Sequence, residues 1–89
     1  MAKKISFLGN RAWDSNRESM SFQVEVDGKE TRCLISREAL EDSFGADQNK
    51  TVMRAFDDNL YTIESVARKI INNDVLDPQG EYLISARDI

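Results

Sequence analysis

The side chains able to do chemistry in this chain are carboxylates, arginines, one thiol and one indole; histidine is absent. Without histidine there is no Ser-His or Cys-His nucleophile pair, no imidazole metal ligand and no side chain that ordinarily titrates near neutrality. One cysteine, Cys33, excludes an all-thiolate zinc site within one chain and an intrachain disulfide. Gly9, Gly28, Gly45 and Gly80 are far apart, each at its own turn signal, so no glycine-rich phosphate loop exists. Glu38, Glu41, Asp42, Asp57, Asp58 and Glu64 fall on helical stretches, and Glu38 and Asp42 are four apart on one face. No calcium-loop pattern organises them. A weak divalent-cation site is the sharpest chemistry they offer, and a solvated acidic face the plainest. The expectation is no catalytic residue, no metal, no cofactor and no enzymatic activity.

Binding is the remaining class, and charge narrows it. Residues 1–17 hold Lys3, Lys4, Arg11 and Arg17 against Asp14, a local +3 in a chain of net charge −4. The remainder therefore carries −7 and repels phosphate backbones at long range, which disfavours nucleic acid. The basic head leaves room for a small anion site. Trp13, Arg11, Arg17 and Arg32 are the interaction candidates. Trp13, the one tryptophan, reads as a plug over the edge of the core in a loop, with a binding role as the alternative. Cys33 falls on an apolar face, where a thiol behaves as a small inert hydrophobe.

The elements that position these residues are legible in the hydropathy pattern. Ile5-Ser6-Phe7 alternates as a short first strand, ended by Gly9-Asn10, and residues 10–19 read as a loop around Trp13. Met20, Phe22, Val24 and Val26 alternate with Ser21, Gln23 and Glu25. Asp27-Gly28 then signals a two-residue hairpin, placing Val26 opposite Lys29, Phe22 opposite Cys33 and Arg32 opposite Gln23. Glu30 would face Glu25, a mild repulsion. Ser36 is a helix N-cap, Ile35 and Leu40 form a hydrophobic staple, and Gly45 is a stop. Val52, Phe56, Leu60, Ile63, Ala67 and Ile70 make an in-phase stripe. It predicts one long helix from about residue 51 to 72, although Asp57-Asp58-Asn59 are poor interior formers. Asp77-Pro78-Gln79-Gly80 reads as a turn, residues 81–86 as a final strand, and Arg87-Asp88-Ile89 as a frayed end. The expected fold is one α+β domain over residues 1–89: an antiparallel sheet, order β-β-β-α-α-β, with both helices on one face. The other face, with Ser21, Gln23, Glu25, Glu30, Arg32 and Leu34, reads as exposed.

Arg11-Ala12-Trp13-Asp14, the Asp27-Gly28 hairpin and the run from Ile35-Ser36-Arg37 to Ser43-Phe44-Gly45 resemble a small bacterial family, the domain of unknown function numbered 1488. Ala55-Phe56, Ala67-Arg68-Lys69-Ile70 and Leu83-Ile84-Ser85-Ala86-Arg87-Asp88-Ile89 are similar to its helix and tail. The resemblance implies a single-domain α+β protein of the bacterial cytoplasm and carries over no functional residue. The start of the chain lacks the apolar run of a signal peptide, and no apolar run is long enough to span a bilayer. The function class these readings favour is a small regulatory or adaptor protein in the cytoplasm that binds another protein, with self-association as a dimer one form of it. A nucleic-acid or small-anion binding module using the basic head is the alternative.

Overall fold

The computed structural model describes residues 3–47, 49–73, 76 and 80–89. Four strands lie in the order β1-β2-β3-β4: β1 (Ile5–Asp14), β2 (Ser19–Val26), β3 (Lys29–Ser36) and β4 (Tyr82–Ile84). Three helices, α1 (Arg37–Phe44), α2 (Val52–Asp58) and α3 (Leu60–Asn72), separate β3 from β4, and a 3-10 turn spans Ala86–Asp88. Met20, Phe22, Val24, Cys33 and Ile35 on one sheet face join Leu40, Phe44, Phe56, Ile63 and Ile71 of the helices in one core.

The hairpin and α1 follow their local signals. Asp27 and Gly28 take φ of 52° and 86°, the left-handed pair a type I′ turn requires. Val26 pairs with Lys29, Phe22 with Cys33 and Gln23 with Arg32, and Glu25 does face Glu30. The Ser36 hydroxyl accepts from the Ala39 N–H at 3.1 Å. Gly45 turns left-handed at φ 79°, and the Ala46 N–H closes back on the Leu40 carbonyl at 3.0 Å.

Four expectations are corrected. First, β1 does not end at Gly9-Asn10. Those residues sit at φ 85° and 45° in a bulged stretch whose register jumps twice, after which Ala12, Trp13 and Asp14 pair with Ser21, Met20 and Ser19. A Gly-Asn pair is a common terminator, yet the same positive-φ tolerance lets a strand take up extra residues and continue. The turn lies at residues 15–18, where Asp14 Oδ1 accepts from the N–H groups of Asn16 and Arg17.

Second, the long helix is two. Asn59 leaves the helical region at φ −120°, ψ 24°, and its Nδ2 donates to the Ala55 carbonyl at 2.9 Å. That carbonyl is the acceptor its own N–H would use in a continuous helix, so the side chain displaces the ladder bond. Third, the sheet is mixed: β4 pairs parallel to β3, with Cys33, Leu34 and Ile35 beside Tyr82, Leu83 and Ile84. The helices carry the chain back across the sheet face before β4 begins, and a returning crossover gives a parallel neighbour. Fourth, the C-terminal residues 85–88 are tied rather than frayed, since Asp88 Oδ2 accepts from both the N–H and the hydroxyl of Ser85. The expected turn at Asp77-Pro78-Gln79-Gly80 falls, except for Gly80, outside the described residues.

Candidate functional site

The irregular points of β1 and of the helices face each other. Phe7, Leu8, Gly9, Asn10 and Arg11 from the bulged stretch, with Phe56, Asp57, Leu60 and Glu64 from α2 and α3, line an apolar cleft of about 430 Å³. Its floor is a run of three rings: Phe7 and Phe22 lie 6.3 Å apart and Phe22 and Phe56 5.3 Å apart, centroid to centroid. The Arg68 guanidinium stacks over the Phe7 ring, 5.0 Å from its centroid. The Asn59 break rotates Leu60 out of the core stripe, leaving it 39% exposed on the rim. Leu8 is exposed nearby, and so is Met53, whose sulfur accepts from Arg11. Tyr61, next along α3, is 87% exposed.

Arg11 closes one end of the cleft through a two-pronged pair with Asp57, one prong at 2.8 Å. The hydrogen bond to Asp57 holds the guanidinium in its charged form and raises its pKa. Both partners are well exposed, so the pair orients the rim more than it stabilises the fold. Glu64 is half-buried in the cleft, and no ion pair or hydrogen bond joins its carboxylate to another side chain among the described residues.

The other candidates lie elsewhere. Trp13 sits on β1 opposite Met20, packed against the core, with the Arg37 guanidinium 5.0 Å from its ring. It occupies the plug position, on a strand rather than in a loop. Arg17 and Arg32 meet on the sheet face away from the helices. Glu81 accepts from Arg17 at 2.7 Å and from Arg32 at 2.6 Å, and Arg32 also reaches Asp14 at 3.3 Å. The bond to Glu81 raises the Arg32 pKa. That face is therefore not bare. Ser21 and Leu34 are buried on it, and Leu34 sits in register between Ser21 and Leu83.

The basic head does not assemble a cation cluster. Arg11 goes to Asp57, Arg17 to Glu81, and Lys3 Nζ donates to the Ile71 carbonyl at 3.1 Å. Among the described residues no group of three or more His, Cys, Asp or Glu side chains could hold a metal ion. Asp58 of the acidic helix face is engaged by Lys50 and Arg54. Cys33 is fully buried, and desolvation pushes its thiol up to about 12. No helix among the described residues is long and apolar enough to cross a membrane.

Of the four interaction candidates, only Arg11 borders the cleft. Leu60 is not among the candidates, because an in-phase stripe assigns it to the core, and Glu64 reads only as one carboxylate of an acidic helix face. The available signal was Asn59: a break there takes the stripe out of register.

A sequence model described as "Protein of unknown function (DUF1488)" matches residues 5–84. The chain is 29% identical over 80 residues to the uncharacterized protein YrdB of Escherichia coli K12, covering 90% of this chain and 94% of that one. The YrdB of Shigella flexneri matches to the same extent. A crystal structure of a DUF1488-family protein of unknown function from Shewanella loihica PV-4 superposes with a TM-score of 0.83 at 23% identity, covering 94% of each chain. That likeness speaks for the fold alone.

Proposed function

We infer the following role for this chain, which belongs to the DUF1488 family of proteins of unknown function: it is a small non-enzymatic domain that binds another protein through the cleft between β1 and the α2–α3 break. The observation that carries the reading is the cleft itself. It has an aromatic floor and large apolar side chains left exposed on its rim, in a chain whose buried side-chain polar atoms are all hydrogen-bonded among the described residues. Contiguous exposed apolar surface costs free energy in water and is retained where a partner covers it. An apolar centre with an oriented Arg–Asp pair at its edge is the usual make-up of a protein-binding patch.

Affinity capture from a bacterial lysate tests this with three baits: the wild-type chain, Leu60→Glu at the cleft and Leu83→Glu on the opposite sheet face. Leu60 and Leu83 are similarly exposed, at 39% and 37%, so neither change should unfold the protein. The reading expects a partner retained by the wild type and Leu83→Glu and lost by Leu60→Glu. Equal recovery by all three would remove the cleft as the binding surface.

A further inference from the structure

We propose that the cleft takes an extended basic segment of a partner protein, which pairs as an added strand along the open edge of β1. An apolar side chain of that segment lies on the aromatic floor, and a lysine or arginine two residues away meets Glu64. The inference rests on the cleft being a docking surface and adds the chemistry of its occupant. β1 is an outer strand of the sheet, and among the described residues its backbone pairs with β2 alone. The Asp27 N–H donates to the Lys4 carbonyl at 2.8 Å, and Ile5 and Ser6 then stand opposite Val26 and Glu25. Hydrogen bonding alternates along an antiparallel pair, so Ser6 turns its backbone groups to β2 while Ile5 and Phe7 turn theirs to the open edge. The bulge at Gly9 and Asn10 ends this regular stretch, so the added strand is short. Phe7 also forms part of the cleft floor, which makes the open edge and the cleft one surface.

Side chains of a paired strand alternate between faces, so every second one points to the helix side, over the cleft. Main-chain bonds to a sheet edge supply affinity, and pockets for alternate side chains supply specificity. Charge selects the class of segment. The charged residues lining the cleft are Arg11, Asp57 and Glu64; the first two pair with each other, which leaves the Glu64 carboxylate. Glu64 is half-buried, and Arg68, one helical turn on, lies over the Phe7 ring rather than pairing with it. The net charge of −4 attracts a cationic segment and repels an acidic one.

Three end-blocked peptides, titrated into the full chain to about 1 mM and followed by NMR, read this directly. The first is Thr-Lys-Thr-Leu-Thr-Lys-Thr. The second replaces both lysines by glutamate, and the third is the lysine peptide with its three central amides N-methylated. The lysine peptide should shift the resonances of Phe7, Leu60 and Glu64. It should also slow hydrogen exchange at the Ile5 and Phe7 amides, which a ligand seated without strand pairing would leave fast. The other two peptides should bind more weakly by about tenfold or more, and Glu64→Gln should weaken the lysine peptide by about tenfold. Leu83→Ser should leave its binding unchanged, and circular dichroism checks that both variants are folded. No binding of the lysine peptide, equal binding of the glutamate peptide, unprotected Ile5 and Phe7 amides, or a Glu64→Gln variant that binds as wild type overturns the proposal. The cleft as a protein-binding surface is decided separately, by the capture experiment.

Discussion

The β3–α1 junction and the β1–α2–α3 cleft use the same kinds of residue to opposite ends. At the junction, Ile35, Leu40 and Ala39 are fully buried, Ser36 caps the helix it precedes, and Gly45 stops it. At the cleft, a glycine and an asparagine bulge a strand, another asparagine breaks a helix, and leucines end up on a rim. Where local signals agree with each other, the surface is closed. Where they compete, apolar surface stays open.

The largest expected contrast is in core truncation. Leu40→Ala should lower the unfolding free energy by about 2–5 kcal/mol, through lost transfer energy and a residual cavity. Leu60→Ala, already partly solvated, should cost less than about 1 kcal/mol. Urea unfolding measures both, and equal losses would erase the distinction between the two regions.

The arginine–carboxylate sites should separate in the same way. Glu81→Gln leaves Arg17 and Arg32 without their shared carboxylate beside a strand of three residues. Its cost should be about 1–3 kcal/mol, as for hydrogen bonds to charged groups. Asp57→Asn, at the exposed pair on the cleft rim, should cost under about 1 kcal/mol. If the order reverses, the rim is part of the scaffold.

A pH series sharpens the contrast at Cys33. Its folded pKa is raised by burial, to about 12 from an ordinary 9.0. Below pH 9 both folded and unfolded states hold the proton and there is no effect. Between about 9 and 12 the unfolded state releases it first, so stability falls by up to about 1.4 kcal/mol per pH unit. Cys33→Ala should flatten that part of the profile relative to wild type. Rapid labelling of the native thiol near neutral pH would contradict its burial.

The smallest effects concern the helix ends. Ser36→Ala removes a cap and should cost about 1 kcal/mol. Asn59→Ala frees the Ala55 carbonyl and favours a continuous helix, so its effect on stability should stay within about 0.5 kcal/mol. Its signature is increased helical circular dichroism with loss of binding at the cleft.

The hairpin and α1 were legible because each depends on contacts within a few residues: Asp27-Gly28 specifies its own turn, and Ser36 caps the helix that begins at the next position. The α+β class was legible as well, since a period of two changes to a helical period at that point. Trp13 was legible as a plug, though not as a strand residue. The cleft was not, and neither was the mixed sheet. Gly9-Asn10 is compatible with an end or a bulge, and Asp57-Asp58-Asn59 with a helix or a break. Each ambiguity is worth only about 1 kcal/mol locally. Pairing of Ala12, Trp13 and Asp14 with β2, and burial of Ile63, Val66 and Ile70 against the sheet, outweigh it. The sequence alone therefore determined the Asp27-Gly28 turn, the Ser36 cap and Gly45 stop of α1, and the core-facing side chains of β2. The tertiary structure decided the direction of β4, the continuation of β1 and the exposure of Leu60 and Tyr61, because these depend on contacts between residues distant in the chain, which no local pattern contains.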